Sequence, residues 1–312
     1  MDENIVMGGF TLMLAADGLL KSPLKLIGAK TGIKKDSPRK RIYDLLPADC
    51  TTYMEPFLGS GSILFGKRQY GTELVNDINP WVINFFEALR AQPMEVLTLA
   101  NRYISSLDET GFKPLRGAAP HIDANPIKAA AWYYTVNKFA RNGIVRFDRN
   151  GKCNSTWCKT DQGRGLLTEE WLAAVLDRIR DVHFRNLSWR DFLDDYPQNQ
   201  GAETIVVLDP PYSQVFTKYD KIAFTDEDHK ALAKYLTAAK FRWLLTINDN
   251  AFIRDLYRGQ YVLDNPVHWQ CSNTVKGRGI RNELIIRNYL PPGESLVSET
   301  AVWDDTKFGA LL

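Results

Sequence analysis

Four consecutive residues, Asp209-Pro210-Pro211-Tyr212, close an apolar run that begins at Thr204-Ile205. Two prolines stiffen the backbone and remove two N–H donors, so the local carbonyls and the Asp209 carboxylate offer acceptors only. Tyr212 adds a flat ring. Acceptors beside a stacking face suit a planar ligand that carries an amino group, such as the exocyclic amine of a nucleobase drawn out of its stack. As a bare four-residue pattern, the same letters equally describe a strand followed by a Pro-Pro turn.

A second cluster lies about 150 residues earlier. Cys50 to Phe57 reads as a strand that runs into Leu58-Gly59-Ser60-Gly61-Ser62 and then the helix-like Ile63-Leu64-Phe65. Strand, glycine turn and helix bring a backbone close against a nucleoside ligand. The next strand, Thr72 to Val75, ends at Asn76-Asp77. An acid about 20 positions after such a turn reaches a ribose hydroxyl, which makes Asp77 the ribose candidate. Two other motifs overlap the turn and fail. A dinucleotide fingerprint needs a third glycine where Leu64 stands, and a phosphate-binding loop over Gly61 to Lys67 needs Ser or Thr where Arg68 stands.

Basic residues gather in three places. Residues 21–41 hold eight Lys and Arg against Asp36 alone. Ala140 to Lys152 carries Arg141, Arg146, Arg149 and Lys152 on two turn signals, Asn142-Gly143 and Asn150-Gly151, with the aromatic Phe147 between them. Lys276-Gly277-Arg278-Gly279 forms a third basic loop. Each is a solvated surface if taken alone, and each is a source of phosphate contacts if a nucleic acid is bound.

The elements that must position these residues follow from the periodicity. Thr204 to Leu208 and Arg242 to Ile247 read as buried strands of a parallel sheet, whose ligands sit at the carboxyl ends. Asn79-Pro80 starts a helix. From about Gln92 to Thr168 the alternation of strand and helix is lost, and helical stretches such as Pro126 to Phe139 take over. Thr168 to Val182 is an amphipathic helix, followed by a short strand over Val182 to Asn186. Ser213 to Phe224 is polar, a candidate lid, and Thr225 with Asp228 resembles a capping box. His229, on that helix, is expected to be structural. Val267 to Cys271 and Glu283 to Ile286 suggest a closing antiparallel hairpin.

Composition narrows the classes further. The 312 residues suffice for one large α/β domain with an insertion, or for two domains. Lys and Arg (39) nearly balance Asp and Glu (37), so a polyanion must be held by local patches. Four scattered cysteines make no disulfide framework and fit a reducing cytosol; Cys153, Cys158 and the distant His121 lack paired metal-ligand spacing, so no metal is expected. The start has no positive stretch, and its short apolar run stops at Asp17-Gly18, so neither a signal peptide nor a membrane span is expected.

Taken in order, these motifs resemble the Dam-type family of adenine-N6 DNA methyltransferases, its D12 class, alpha group and phage-like branch, over roughly residues 24–290. Ile27-Gly28-Ala29-Lys30 is similar to the family's first S-adenosylmethionine motif, with Leu26 in place of the usual aromatic and Ala29 in place of a second glycine. Glu55-Pro56-Phe57-Leu58-Gly59-Ser60-Gly61-Ser62 resembles the cofactor loop, Asn76-Asp77-Ile78-Asn79 the ribose-binding strand end, and Asp209-Pro210-Pro211-Tyr212 the catalytic motif. Asp191, beside Phe192, stands where the family commonly binds the cofactor adenine, and Asn282 to Ile286 resembles a late sheet strand. Arg141-Asn142-Gly143 with Arg146 is similar to the target-recognition hairpin, with Ala140 replacing an aromatic.

The resemblance implies an α/β fold: a Rossmann-like S-adenosylmethionine-dependent methyltransferase sheet with an antiparallel final hairpin and an inserted, mostly helical recognition domain. Residues 21–91 and 169–290 would be the catalytic domain, 92–168 the recognition domain, and 1–20 and 291–312 an extension and a tail. Asp209, Pro210, Pro211 and Tyr212 would be catalytic. Lys30, Glu55, Pro56, Phe57, Gly59, Gly61, Asp77, Asp191, Phe192 and Asp209 would hold S-adenosylmethionine. Arg141, Asn142, Gly143, Arg146, Arg149, Lys276 and Arg278 would meet double-stranded DNA. The expected enzyme is cytoplasmic, a monomer or weak dimer, and uses neither metal nor membrane. Cytosine-N4 or RNA amine methylation, methylation of a protein glutamine amide, and a non-catalytic DNA-binding protein on the same scaffold remain as alternatives.

Overall fold

A computed structural model describes residues 20–25, 38–159, 165–196, 201–213, 224–269 and 279–290. Its elements run α1 (Pro38–Leu45), β1 (Thr52–Glu55), α2 (Ser62–Gly66), β2 (Thr72–Asn76), α3 (Pro80–Ala91), α4 (Pro93–Ser105), α5 (Glu109–Gly117) and α6 (Pro126–Phe139). After a single turn of 3-10 helix at Arg141–Gly143 come α7 (Glu169–Ile179), β3 (Val182–Arg185), α8 (Trp189–Asp194) and β4 (Thr204–Leu208). The chain then continues through α9 (Asp226–Ala238), β5 (Arg242–Asn248), α10 (Ala251–Leu256), β6 (Tyr261–Trp269) and β7 (Gly279–Arg287). Among the described residues the strands follow the order β3-β2-β1-β4-β5-β7-β6.

The described residues gather into two compact units, one drawn from within 1–35, 58–69 and 74–189, the other from within 36–57, 70–73 and 190–312. The second unit is built on β4. All five of its residues are buried, as expected of a parallel strand covered on both faces. It pairs in parallel with β1, Tyr53 opposite Ile205, and with β5, Val207 opposite Leu244. Each fully buried Ile, Val or Leu in such a strand stabilises the fold by roughly 1.5–3 kcal/mol. The apolar run therefore fixes the depth of β4, and Asp209 emerges at its carboxyl end, half-buried.

β7 runs antiparallel to both β5 and β6. β6 starts at Tyr261, earlier than the sequence pattern suggests, because Asp264-Asn265-Pro266 looks like a turn yet continues the strand, Pro266 lying opposite Asn282. Proline lacks the ladder donor and is tolerated at a sheet edge, where β6 lies.

The first unit is centred on α6. Asn125 caps it, its side chain accepting from the Lys128 N–H, and Pro126 occupies its first turn. Nearly every residue from Ala129 to Phe139 is buried, so α6 is a core helix, and α3, α4 and α5 pack around it. α3 begins with the Asn79 cap on the Trp81 N–H at 3.0 Å. Among the described residues no helix is long and apolar enough to cross a membrane, and no group of three His, Cys, Asp or Glu side chains is placed to hold a metal.

Candidate active site

The glycine turn lies in the first unit. The Leu58 N–H donates to the Asn76 carbonyl and the Gly61 N–H to the Leu58 carbonyl, each at 2.8 Å. Closing so tight a turn requires left-handed backbone at Gly59 (φ 53°) and Gly61 (φ 76°), which side chains resist. At Gly61 a Cβ would also stand 3.3 Å from the Phe65 ring.

Asp77 closes the turn from the opposite side. Its Oδ2 accepts from the Gly59 N–H at 2.7 Å and its Oδ1 from the Asn79 N–H at 2.8 Å. Hydrogen bonds to a carboxylate are about twice as strong as neutral ones, so Asp77 sets the turn geometry besides presenting acceptors. Asn76 fixes the strand end: its side-chain amide donates to the Leu187 carbonyl (3.0 Å) and accepts from the Leu187 N–H (2.9 Å). The Asn186 amide donates to the Asp77 carbonyl at 2.7 Å. A glycine turn beside a carboxylate suits a ligand with hydroxyl and amine donors.

The Asp209–Tyr212 motif lies in the second unit, within a bracket that the sequence pattern does not reveal. Asp209 Oδ1 accepts from the Thr246 hydroxyl at 2.7 Å. The Tyr212 hydroxyl donates to the buried carboxylate of Glu283. Burial first, then the negative charges of Asp209 and Glu283, hold the Tyr212 phenol well above its usual range, so it remains a donor. Ser213 is buried; its N–H donates to Asn248 Oδ1 (3.0 Å), its carbonyl accepts from Asn248 Nδ2 (3.1 Å), and its hydroxyl accepts from Asn250 Nδ2 (2.7 Å). Thr246 and Asn248 belong to β5, and Glu283 pairs with Asn248 across β7. Polar residues in otherwise apolar strands were the available signal.

His229 is buried, with its ring edge-on to Phe224 (4.7 Å) and Phe252 (6.5 Å) and its Nε2 without a hydrogen-bond partner. Burial lowers its pKa. It sits on α9, whose capping box between Thr225 and Asp228 is present as expected.

In the same unit, Glu55 is buried and accepts from the Tyr53 hydroxyl at 2.7 Å. Pro56 is buried, and Phe57 meets the Phe224 ring edge-on at 5.7 Å. Asp191 lies exposed in the first turn of α8, a helix the sequence pattern did not suggest, and Phe192 is buried beneath it. Lys30, Lys276, Arg278 and residues 214–223 of the lid expected over Ser213 to Phe224 lie outside the described residues.

The basic hairpin belongs to the first unit. Ala140 bridges to Trp157 and Phe147 to Cys153, both antiparallel. Asn142 (φ 56°) and Gly143 (φ 69°) are both left-handed. Arg141 and Arg149 are exposed, whereas Arg146 is half-buried and donates to the Asn154 carbonyl and the Thr156 hydroxyl, both at 3.3 Å. The Phe147 ring stacks on Trp81 at 5.4 Å and 19°. That stack anchors the hairpin internally. Arg39, from the first basic run, is buried with its guanidinium over the Tyr43 ring at 5.8 Å.

The family model of the D12 class N6 adenine-specific DNA methyltransferases matches residues 31–268. The chain belongs to this family. Among its relatives, the type II methyltransferase M.CviBI of Paramecium bursaria Chlorella virus NC1A is 25% identical over 86% of this chain and 100% of that protein. The DNA adenine methylase of Vibrio cholerae is 26% identical over 84% of this chain and 94% of its own length. The DNA N-6-adenine-methyltransferase of Escherichia phage P1 is 26% identical over 85% of this chain but 35% of its own length. In this D12 methyltransferase, the segment from residue 31 into β6 is thus the family's shared part.

Proposed function

We propose that the chain methylates the N6 amine of adenine at a specific site in double-stranded DNA, with S-adenosylmethionine as donor, and that Asp209-Pro210-Pro211-Tyr212 carries the chemistry. When bound, that cofactor supplies a sulfonium-borne methyl open to in-line displacement. Lys30, Glu55, Pro56, Phe57, Gly59, Gly61, Asp77, Asp191, Phe192 and Asp209 would hold it. The acceptors at Asp77 suit its ribose.

The adenine amine is a poor nucleophile because its lone pair is delocalised into the ring. Asp209 and the Pro210 carbonyl accept hydrogen bonds from that amine and favour the pyramidal form whose lone pair can attack. A carboxylate has about four acceptor positions, so the Thr246 bond at 2.7 Å orients Asp209 without exhausting it. That bond, at the end of a fully buried strand, is the observation that carries the assignment. The Tyr212 ring stacks on the extruded base, offsetting the few kcal/mol that unstacking costs. Arg141, Asn142, Gly143, Arg146, Arg149, Lys276 and Arg278 contact the DNA, within a recognition domain over residues 92–168 and the late basic loop. The enzyme acts as a monomer or weak dimer in the cytoplasm.

Labelled S-adenosylmethionine with unmethylated DNA, followed by nucleoside analysis, tests this. Label in N6-methyladenine is expected for the wild type and none for Asp209→Ala, with cofactor affinity largely kept. Full activity in that variant would refute the catalytic assignment. Label in cytosine, RNA or protein would replace the substrate.

A further inference from the structure

Four residues, Ser22-Pro23-Leu24-Lys25, touch both functional turns of the first unit. At one end the Ser22 hydroxyl donates to the carbonyl of Ser60, between the two glycines of the cofactor turn. At the other end the fully buried Asn137 grips Lys25 as a strand partner would. Its Oδ1 accepts from the Lys25 N–H at 2.9 Å, and its Nδ2 donates to the Lys25 carbonyl at 2.6 Å. The same Nδ2 donates to the Gly143 carbonyl at 2.7 Å.

One side-chain amide thus joins the strap to the Arg141–Gly143 turn. The backbones lie so close that a Cβ on Gly143 would stand 2.3 Å from the Lys25 carbonyl oxygen. Leu24, buried between the two attachments, and a 3.2 Å bond from its N–H to the Ser22 hydroxyl keep the strap in one conformation. With Leu24 buried and both ends hydrogen-bonded, the strap has little room for independent movement.

We propose that Asn137 is a positioning residue, and that the Ser22–Lys25 strap it holds makes cofactor binding at the glycine turn and DNA binding at the Arg141–Gly143 turn favour one another. Ordering the glycine turn around the cofactor orders Ser60, then the strap, then Gly143, so Arg141 and Asn142 meet DNA already placed. Linkage makes the effect reciprocal, and couplings of this kind typically change affinity about 5- to 150-fold. The inference rests on the assignment of those two turns to cofactor and DNA.

The test uses the full chain, S-adenosylhomocysteine as the unreactive cofactor, and a labelled duplex containing the site found by sequencing plasmid DNA that the enzyme has modified. In the wild type, saturating S-adenosylhomocysteine should tighten duplex binding about tenfold. Asn137→Asp keeps the acceptor for Lys25 but loses both donated bonds, and Ser22→Ala removes the Ser60 bond at the half-buried end of the strap. In both variants the tightening should fall to within about twofold, while S-adenosylhomocysteine affinity without DNA stays within about threefold of wild type. Ser22→Ala keeps the question answerable if the buried Asn137→Asp variant fails to fold. Unchanged tightening in a folded variant, or none in the wild type, would overturn the coupling. A wild type that binds S-adenosylhomocysteine but no duplex would bring down the functional assignment and this inference together.

Discussion

The hydroxyl of Tyr212 donates to the carboxylate of Glu283, so the aromatic of the Asp209–Tyr212 motif is tethered to β7. A stacking ring needs only a flat face, and Phe would serve for that. On the proposed reading, the bond to Glu283 leaves the hydroxyl the task of holding the ring at one angle.

Tyr212→Phe should keep stacking and lose the tether. A hydrogen bond to a charged group contributes about 1.5–3 kcal/mol, so single-turnover methylation should slow by roughly 10- to 100-fold with little change in cofactor affinity. Glu283→Gln retains an acceptor and should fall between wild type and Tyr212→Phe. A wild-type rate in Tyr212→Phe would show that the tether is irrelevant to the chemistry.

Thr246 gives a second handle on the motif, because its hydroxyl meets Asp209 Oδ1 at 2.7 Å. Thr246→Val preserves shape and deletes the donor. The expected result is a kcat about tenfold lower, from about 1.4 kcal/mol of lost orientation, with KM for both substrates nearly unchanged. Thr246→Ser should recover most of the rate. A change confined to KM would place Thr246 in binding.

Much of this architecture was legible in the sequence because it depends on local rules. Pro126–Phe139 forms one helix since Asn125 caps it and apolar residues fill it, and Thr225 with Asp228 makes the capping box its spacing implies. The bracket around Asp209–Tyr212 was not legible. Ser213 finds Asn248 and Asn250, and Tyr212 finds Glu283, across 35 or more positions, and only sheet register brings such residues together. The start of β6 is hidden for a related reason: Pro266 is a breaker locally, and only a place at the sheet edge accommodates it. The partner of Phe147 was equally out of reach of local rules, since its ring faces Trp81, 66 positions earlier in the chain.

Asp77 engages two backbone N–H groups, those of Gly59 and Asn79. Asp77→Asn keeps one oxygen, removes the charge and turns an amide N–H₂ toward one of those donors. Loss of the charge and a donor facing a donor should cost about 1.5–3 kcal/mol, and S-adenosylmethionine affinity by calorimetry should fall roughly 10- to 100-fold. At saturating cofactor the methylation rate should largely return. If it does not, Asp77 acts in the chemical step.

Lys138 supplies a prediction about stability. Burial, and then the positive charge of Lys25, lowers its pKa from 10.5 to about 8, with its amine 3.1 Å from the Tyr134 hydroxyl. Between about pH 8 and 10.5 the unfolded chain holds a proton that the folded chain has released, so this residue makes stability rise with pH across that window. Below about pH 8 the amine is charged in both states and the whole penalty is present. The two values differ by roughly 2.5 pH units, at about 1.4 kcal/mol each, which sets a ceiling of about 3 kcal/mol after allowance for partial exposure. Lys138→Met keeps the aliphatic stem and removes the charge. Urea unfolding should show the variant more stable than wild type at pH 7, with the gap narrowing steadily between pH 8 and pH 10. Above that range ionising tyrosines intervene: burial raises the Tyr134 phenol, so the unfolded chain loses that proton first and stability falls. A gap that stays constant from pH 7 to pH 10 would mean that Lys138 titrates alike in both states.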